Sequence, residues 1–152
     1  MDVKTPGWVC ARSNRLPREV IQMDNDQNTA LPYKLEFEYR PHYLYAKVTG
    51  KEDSLNISLS YWNTVAAERK ARNYTKVLVD EDLEQQPTLI DIFEVAAVLS
   101  TMGFEGSTIA FVDRQLDHLE YNKFAETVAV NRGVKGKVFI DLAEAEAWLL
   151  QA

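Results

Sequence analysis

Apolar and polar residues alternate along two short segments of the chain. Between residues 34 and 40 an apolar side chain stands at every second position, and the alternation returns over residues 43–48, after a turn-forming Pro-His pair. A period of two is typical of a strand with one covered face. Because the connection is short, we predict that the two segments form an antiparallel hairpin.

Three later segments carry uninterrupted apolar runs instead. They cover residues 76–80, 108–113 and 137–141. Runs without alternation are typical of strands that are covered on both faces. We therefore predict three further strands in the interior of a sheet that has helices on its faces.

Four segments have the apolar spacing of helices. Apolar side chains recur three or four positions apart after Asp53 or Ser54, after Thr88, after Asp141 and between residues 121 and 128. Ser, Thr and Asp favour a helix N-terminus because their side-chain oxygen accepts a hydrogen bond from the first turn. The last helical segment carries Trp148 on its apolar side, and we expect this side chain to anchor the helix in the core.

The predicted elements follow one another in the order ββαβαβαβα. Strands that alternate with helices pair in parallel through right-handed crossovers, whereas the opening hairpin is antiparallel. The sequence therefore predicts an α/β fold over residues 34–152, with a mixed, mostly parallel five-stranded sheet and helices packed on it. Residues 1–33 contain three prolines and are predicted to form an irregular N-terminal arm that packs on this domain.

The composition excludes several classes of protein. With 46% hydrophobic and 26% charged residues, the chain of 152 residues has the make-up of a globular protein. The net charge of -6 disfavours nucleic acid and anionic membranes as partners, and no apolar run approaches the roughly 20 residues that cross a bilayer. A single cysteine, Cys10, fits the reducing cytoplasm. No cofactor motif is present, so no cofactor is expected.

Four parts of the predicted domain together form a sequence pattern that is more specific for one protein family than any of the parts alone. They are residues 45–53, residues 77–80, residues 109–112, and residues 137–141 followed by Ala145, Trp148 and Leu149. This pattern resembles the SpoIIAA-like branch of the STAS/Sec14-like families over residues 34–152. The resemblance implies a non-catalytic bacterial module that binds a protein partner or a small lipophilic ligand. Relatives act as anti-anti-sigma factors, as cytoplasmic domains of anion transporters or as binders of lipophilic ligands.

The chain departs from the phosphorylated members of these families before the second helix. Those members carry a serine after the strand that residues 76–80 resemble, whereas this chain has no serine there and places four carboxylates between residues 80 and 84. Thr88 is the hydroxyl residue nearest to the helix start, and we interpret it as an N-cap or a first-turn residue. We therefore predict that there is no phosphorylation switch, because these carboxylates would repel an added phosphate.

Three predicted strands end in aspartate, namely Asp80, Asp113 and Asp141. Ligands of α/β proteins bind beyond the carboxyl ends of parallel strands, and carboxylate oxygens are suitable ligands for Mg²⁺ or Ca²⁺. An enzyme or metal-binding protein that uses these carboxylates is thus the alternative function. Capping and turn formation explain the same aspartates, so we assign no metal site. Arg114 follows Asp113. Its guanidinium either binds an anionic group through two parallel hydrogen bonds or forms a solvated ion pair with Asp113.

The histidines complete no catalytic arrangement that the sequence reveals. His42 falls in the predicted hairpin turn and His118 at the start of the third predicted helix, and no catalytic motif includes either of them. We therefore predict no catalytic residues, and a non-catalytic binding or regulatory function.

The second predicted helix has more apolar residues than one buried face needs. The stripe expected to face the sheet consists of Leu89, Ile92, Phe93, Ala96 and Leu99. Val95, Val98 and Met102 fall outside this stripe, although a solvated helix face is ordinarily polar. These three residues predict a homodimer interface, with a groove for a lipophilic ligand or a landing site for the arm as alternatives.

Overall fold

The computed structural model describes residues 30–152, and the predicted arm lies outside them except for its last four residues. The strands are β1 (Tyr33–Tyr39), β2 (Leu44–Gly50), β3 (Lys76–Leu83), β4 (Thr108–Asp113) and β5 (Lys135–Phe139). The α-helices are α1 (Leu55–Ala71), α2 (Leu89–Val98), α3 (Leu119–Asn131) and α4 (Leu142–Gln151). Short 3₁₀ turns lie after α2 and before α3, at Leu99–Thr101 and Leu116–His118.

The five strands form one sheet in the order β1-β2-β3-β4-β5. β1 and β2 are antiparallel, with Leu35 opposite Val48, and all other neighbours are parallel. The predicted mixed α/β sheet and its order of elements are therefore confirmed.

Helices cover both faces of the sheet. A larger apolar cluster lies between the sheet and α1, α2 and α3, and a smaller one lies between the sheet and α4. Val79 of β3 belongs to the larger cluster, whereas its neighbour Leu78 belongs to the smaller one. Successive residues of a strand point to opposite faces, so the uninterrupted apolar run of β3 supplies both clusters.

Within the described residues, no helix combines the length and the apolar character that crossing a membrane requires.

The predicted helix starts are confirmed. Ser54, Thr88 and Asp141 are the N-caps of α1, α2 and α4, and the side chain of each accepts a hydrogen bond from a backbone N–H in the first turn. Trp148 of α4 is only half-buried, at the edge of the smaller cluster, with its ring centroid 5.7 Å from that of Phe139. It therefore contributes to the core without lying at its centre.

The third strand is longer than the sequence predicted. β3 continues to Leu83 rather than ending at Asp80, because Glu81 and Asp82 continue the parallel pairing with β2. Two of the carboxylates that were expected in a loop therefore stand on the strand, where they alternate between the two faces of the sheet.

The buried side of α2 also differs from the predicted one. It consists of Ile92, Val95 and Ala96 and continues with Leu99 in the 3₁₀ turn that follows, while Leu89 and Phe93 are exposed. Val95 is 7% exposed and packs in the larger cluster. The phenyl ring of Phe93 points sideways, and its centroid lies 6.4 Å from that of Phe124 on α3. Contact with α3 thus turns the helix relative to the expected stripe, and Val95 is not available for an interface.

Candidate functional site

A charged cluster lies on the α4 side of the sheet, around Asp80. This residue is fully buried (0% exposed), and its carboxylate accepts hydrogen bonds from Arg114, at 2.8 Å from Nε and 2.7 Å from Nη2. The hydroxyl of Tyr45 donates a third hydrogen bond to it. Burial by itself would raise the pKa of Asp80, but the hydrogen bonds from Arg114 and Tyr45 hold that pKa below its ordinary value. Asp80 is therefore a buried anion with a paired cation.

This arrangement corrects the expected role of Arg114. The residue does not form a solvated ion pair with Asp113, and its guanidinium is not a free fork for an anion, because two of its nitrogens bond to Asp80. The length of β3 explains the difference. The backbone N–H of Arg114 donates to the carbonyl of Glu81 at 2.9 Å, which places its side chain beside Asp80 on the neighbouring strand.

A second polar cluster lies on the opposite face, around Asp113 at the end of β4. Its Oδ2 accepts a hydrogen bond from Asn122 at 2.7 Å and lies 3.0 Å from Nδ1 of His118, while its Oδ1 accepts one from the backbone N–H of Gln115 at 2.9 Å. Asp113 and His118 are both buried. The short 3₁₀ turn before α3 brings His118 back toward the strand end. His118, for which the sequence predicted no role, is thus a member of this cluster.

Glu81 of β3 and Asp53, just before α1, join the same cluster. Glu81 is buried opposite Asp113 in the strand register and accepts a hydrogen bond from the hydroxyl of Tyr61. Burial, together with the carboxylates of Asp53 and Asp113, raises the pKa of Glu81 well above its ordinary value. Burial and the nearby Asp113 also raise the pKa of Asp53 to about 6, although Ser58 donates a hydrogen bond to it at 2.8 Å. We refer to Asp53, Glu81, Asp113 and His118 as the acid cluster.

The acid cluster forms part of the wall of a cavity between the sheet and α1, α2 and α3. The cavity has a volume of about 100 Å³. Its other walls are mainly apolar and include Trp62, Ile92, Val95, Phe111 and Ala125. Gln86, in the loop before α2, also lines it, and the buried Oε1 of this residue accepts no hydrogen bond from the described residues. A mostly apolar cavity with a few polar groups is typical of a small-molecule site.

The three aspartates expected at the strand ends do not come together. Asp80 faces α4, Asp113 faces the other layer of helices, and Asp141 is exposed as the N-cap of α4. In the part of the chain that the structure describes, no three or more His, Cys, Asp or Glu side chains are arranged to hold a metal ion. The partners of Asp113 are instead Glu81 on the neighbouring strand and His118.

An exposed apolar surface lies on the outer side of α2 and α3. We call it the α2–α3 face, and it consists of Leu89, Ile90, Phe93 and Phe124. Ile90 is 69% exposed, more than any other large apolar side chain of the described residues. This face takes the place of the one predicted from Val95, Val98 and Met102.

The remaining predicted site residues lie outside the acid cluster. Thr88 is exposed beside the α2–α3 face, and its Oγ1 accepts a hydrogen bond from the backbone N–H of Asp91 at 3.2 Å. Val98 is exposed at the end of α2, and Met102 packs partly buried against the larger cluster. Of the predicted site residues, only Asp113 and Val95 therefore line the cavity, Asp113 at its acid cluster and Val95 at its apolar wall.

The arrangement of strands and helices matches a known crystal structure. It is that of an anti-sigma factor antagonist from Mycobacterium paratuberculosis, with a TM-score of 0.54 and 10% sequence identity over 78% of this chain and 94% of that chain. The chain has the fold of an anti-sigma factor antagonist. The SpoIIAA-like STAS fold that the sequence pattern implied is thereby confirmed. Neither a family model nor a curated protein sequence matches the chain.

Proposed function

We propose that the chain is a non-catalytic regulatory module that binds a protein partner through the α2–α3 face. The observation that carries this proposal is the exposure of Ile90 and Phe93 side by side with Phe124. The solved protein that shares the fold is described as the antagonist of an anti-sigma factor, which supports a regulatory role exerted on another protein. Fold similarity alone does not determine function, so the exposed surface has to supply the argument.

An exposed helix face that is apolar requires an explanation. Single apolar side chains are common on protein surfaces, but several adjacent ones on neighbouring helices mark an interaction site. The phenyl ring of Phe93 contacts Phe124 and lies under the guanidinium of Arg132, whose Cζ is 5.4 Å from the ring centroid. These contacts hold the two aromatic rings in place, which lowers the entropic cost of using them as anchors for a partner.

The charge around the face favours a partner of a different kind over a second copy of the chain. Glu94 is exposed four residues after Ile90, on the same side of α2, and the whole chain has a net charge of -6. A second copy would carry the same negative net charge, so a partner of opposite charge is attracted to the face more strongly. We therefore expect a partner that offers an apolar surface flanked by Lys or Arg. The predicted homodimer is the competing occupant of the face.

Substitution of Ile90 tests the proposal. Ile90→Glu places a charge in the centre of the face, and the matched control Ile140→Glu makes the same change at a residue that is 50% exposed in the connection between β5 and α4. A photo-crosslinking residue at position 90 identifies the partner, which is then purified and titrated by calorimetry. We expect a one-to-one complex that Ile90→Glu weakens by about thirtyfold or more, as for a central interface residue, and that Ile140→Glu leaves within about twofold.

Two results would overturn the proposal. One is a partner whose affinity is the same for Ile90→Glu and Ile140→Glu. The other is a wild-type protein that sediments as a dimer and that only Ile90→Glu converts to a monomer, because a second copy would then occupy the face. The location in the cytoplasm is part of the same proposal, and the single cysteine of the sequence supports it.

A further inference from the structure

An open cleft lies at the amino-terminal end of the sheet, at the opposite end from the acid cluster. Its volume is about 510 Å³, within the range of small-molecule sites. Three parts of the chain enclose it, namely the turn between β1 and β2, the connection from α1 to β3 and the last turn of α4. Ligands of α/β proteins ordinarily bind at the other end of the sheet, so this cleft is not a site that the fold itself supplies.

The cleft is positively charged, although the chain has a net charge of -6. Lys76 and His42 are basic, and none of the described residues that line the cleft is acidic. The sequence separates the charges in the same way, since residues 69–76 contain four basic and no acidic residues, whereas residues 80–84 contain four acidic and no basic ones. The amino-terminal end of β3 therefore attracts anions, which the chain as a whole repels.

The polar side chains of the cleft have hydrogen bonds to spare. The ammonium group of Lys76 donates to the carbonyl of Leu150 at 3.5 Å, which is a weak hydrogen bond, and it forms no ion pair with a carboxylate of the described residues. The side chains of Asn73 and Thr75 also line the cleft and bond to no other described residue. One cation and two neutral donors are thus available to a ligand.

The connection that carries these donors is held in a fixed position. The hydroxyl of Tyr74 donates a hydrogen bond to the carbonyl of Arg40 at 2.8 Å, which joins the connection to the hairpin. The backbone N–H of Thr108 donates to the carbonyl of Thr75 at 2.8 Å. Asn73 has a φ of 62°, in the left-handed region that asparagine adopts more readily than most residues. A wall that is already ordered lowers the entropic cost of binding.

The donors favour a phosphate group over a carboxylate. No arginine is among the described lining residues, so the bidentate geometry that suits carboxylates is missing, whereas lysine binds phosphate as a point charge. A phosphate monoester carries a charge of about -1.5 to -2 at pH 7 and three acceptor oxygens, one for each donor side chain. Pro41, Tyr74 and Leu150 also line the cleft and offer apolar surface to the organic part of the ester.

We infer that the cleft binds a small phosphate monoester, with its phosphate group at Lys76, Asn73 and Thr75 and its organic group against Tyr74 and Leu150. This inference goes beyond the proposed protein-binding function, since it uses no residue of the α2–α3 face and does not depend on any partner.

The test compares three probes on the full chain at pH 7.5 and low salt. Backbone amide NMR measures the binding of phenyl phosphate, of inorganic phosphate and of benzyl alcohol, which keeps the ring without the charge. We expect phenyl phosphate to bind with a Kd of about 1 mM and to shift the amide signals of residues 73–76. Inorganic phosphate should bind about fivefold more weakly because it buries no apolar surface, and benzyl alcohol should shift none of these signals.

Three variants connect the binding to the donors. Lys76→Gln should weaken the binding of phenyl phosphate by about tenfold, since it removes the charge. Thr75→Val removes only the hydroxyl, keeps the branched shape and should weaken binding by about threefold. Lys70→Gln is the matched control, because Lys70 is exposed in the last turn of α1 and does not line the cleft, and it should leave the Kd within about twofold.

Three results would overturn the inference. The first is the absence of shifts at residues 73–76 with about 20 mM phenyl phosphate, a concentration well above the expected Kd. The second is an equal loss of affinity in Lys70→Gln and Lys76→Gln, because the attraction would then come from diffuse charge and not from the cleft. The third is an equal affinity for phenyl phosphate and inorganic phosphate, because the organic group would then have no place in the cleft. If Lys76→Gln does not fold, Thr75→Val is compared with Lys70→Gln in its place.

Discussion

Replacement of Arg114 by methionine tests whether the buried charge of Asp80 depends on its partner. The change removes hydrogen bonds of 2.8 and 2.7 Å and keeps an unbranched side chain. Asp80 would remain buried with only the hydroxyl of Tyr45 as donor. Removing one partner of a buried ion pair costs about 3–5 kcal/mol. Because the side chain of Arg114 is itself 43% exposed and solvent screens the pair, we expect a loss of about 2–3 kcal/mol.

The loss of stability in Arg114→Met should depend on pH with a definite sign. In the wild type the pKa of Asp80 lies below that of the unfolded chain, so its stabilising contribution is present above about pH 4 and is lost as the pH falls through the folded-state pKa. Without Arg114, burial dominates and the pKa of Asp80 rises. The variant then takes up the proton at higher pH, which removes the penalty of the unpaired charge. The difference between the two proteins should therefore be largest near neutral pH and shrink toward about pH 4.

Urea unfolding followed by circular dichroism at pH 7 and pH 4 measures this difference. The matched control is Arg72→Met, because the side chain of Arg72 is 41% exposed and forms an ion pair with Glu68 at 3.3 Å on the surface of α1. Surface pairs contribute about 0–1 kcal/mol, so this variant should lose little stability. A loss in Arg114→Met of less than about 1 kcal/mol, or an equal loss at both pH values, would refute the idea that Asp80 is a buried anion held by Arg114.

Other predictions address the caps, the edge of the core and the acid cluster. Thr88→Ala should lower the free energy of unfolding in urea by about 1 kcal/mol, as expected for an N-cap. Trp148→Ala should lower the free energy of unfolding in urea by about 2–3 kcal/mol, less than for a fully buried tryptophan. Because the pKa values of Asp53 and Glu81 are raised, the folded protein holds their protons more tightly than the unfolded chain does. The contribution of Asp53 to stability is thus fully present below about pH 4 and declines as the pH rises through about 6, and the contribution of Glu81 declines at a pH well above the ordinary pKa of a glutamate. Melting temperatures from pH 4 to pH 7 should show this decline, and Glu81→Gln should flatten it.

The fold could be predicted because its signals are local. The period of two in β1, the uninterrupted runs of the inner strands and the N-caps Ser54, Thr88 and Asp141 are readable within a few residues. Even the end of β3 was missed for a local reason. Carboxylates normally indicate a loop, but here Glu81 and Asp82 are tolerated on a strand because tertiary partners receive them.

The orientation of α2 could not be predicted for a different reason. The helix is apolar on several sides, so two stripes fit the helical period almost equally well. One contains Phe93 and the other contains Val95, and the two differ by a rotation of the helix about its axis. In the structure α2 packs on the sheet through Val95, while Phe93 on another side of the helix contacts Phe124 of α3. Val95 is therefore the buried residue.

The acid cluster depends on positions that are far apart in the chain. Asp53 precedes α1, Glu81 lies on β3, and Asp113 and His118 flank the turn after β4. One local signal was nevertheless present. If β3 is extended by its period of two, Glu81 falls on the same face as Val79, so a carboxyl in the core could have been noticed. Its partners follow only from the strand register, which places Glu81 opposite Asp113.

Adjacent residues of β3 show two ways of burying a carboxyl group, and their independence can be tested. Asp80 faces α4 and stays charged beside Arg114, whereas Glu81 faces the other layer of helices and has a raised pKa. The carboxyl groups lie on opposite faces, where Asp80 bonds to the side chains of Arg114 and Tyr45 and Glu81 bonds to that of Tyr61. Both Arg114→Met and Glu81→Gln keep the backbone hydrogen bond between Arg114 and Glu81, so their losses should add within about 0.5 kcal/mol in the double variant. The pH dependence of each single variant should also reappear unchanged in the double one. A coupling free energy above about 1 kcal/mol would show that the sheet transmits the charge of one face to the other.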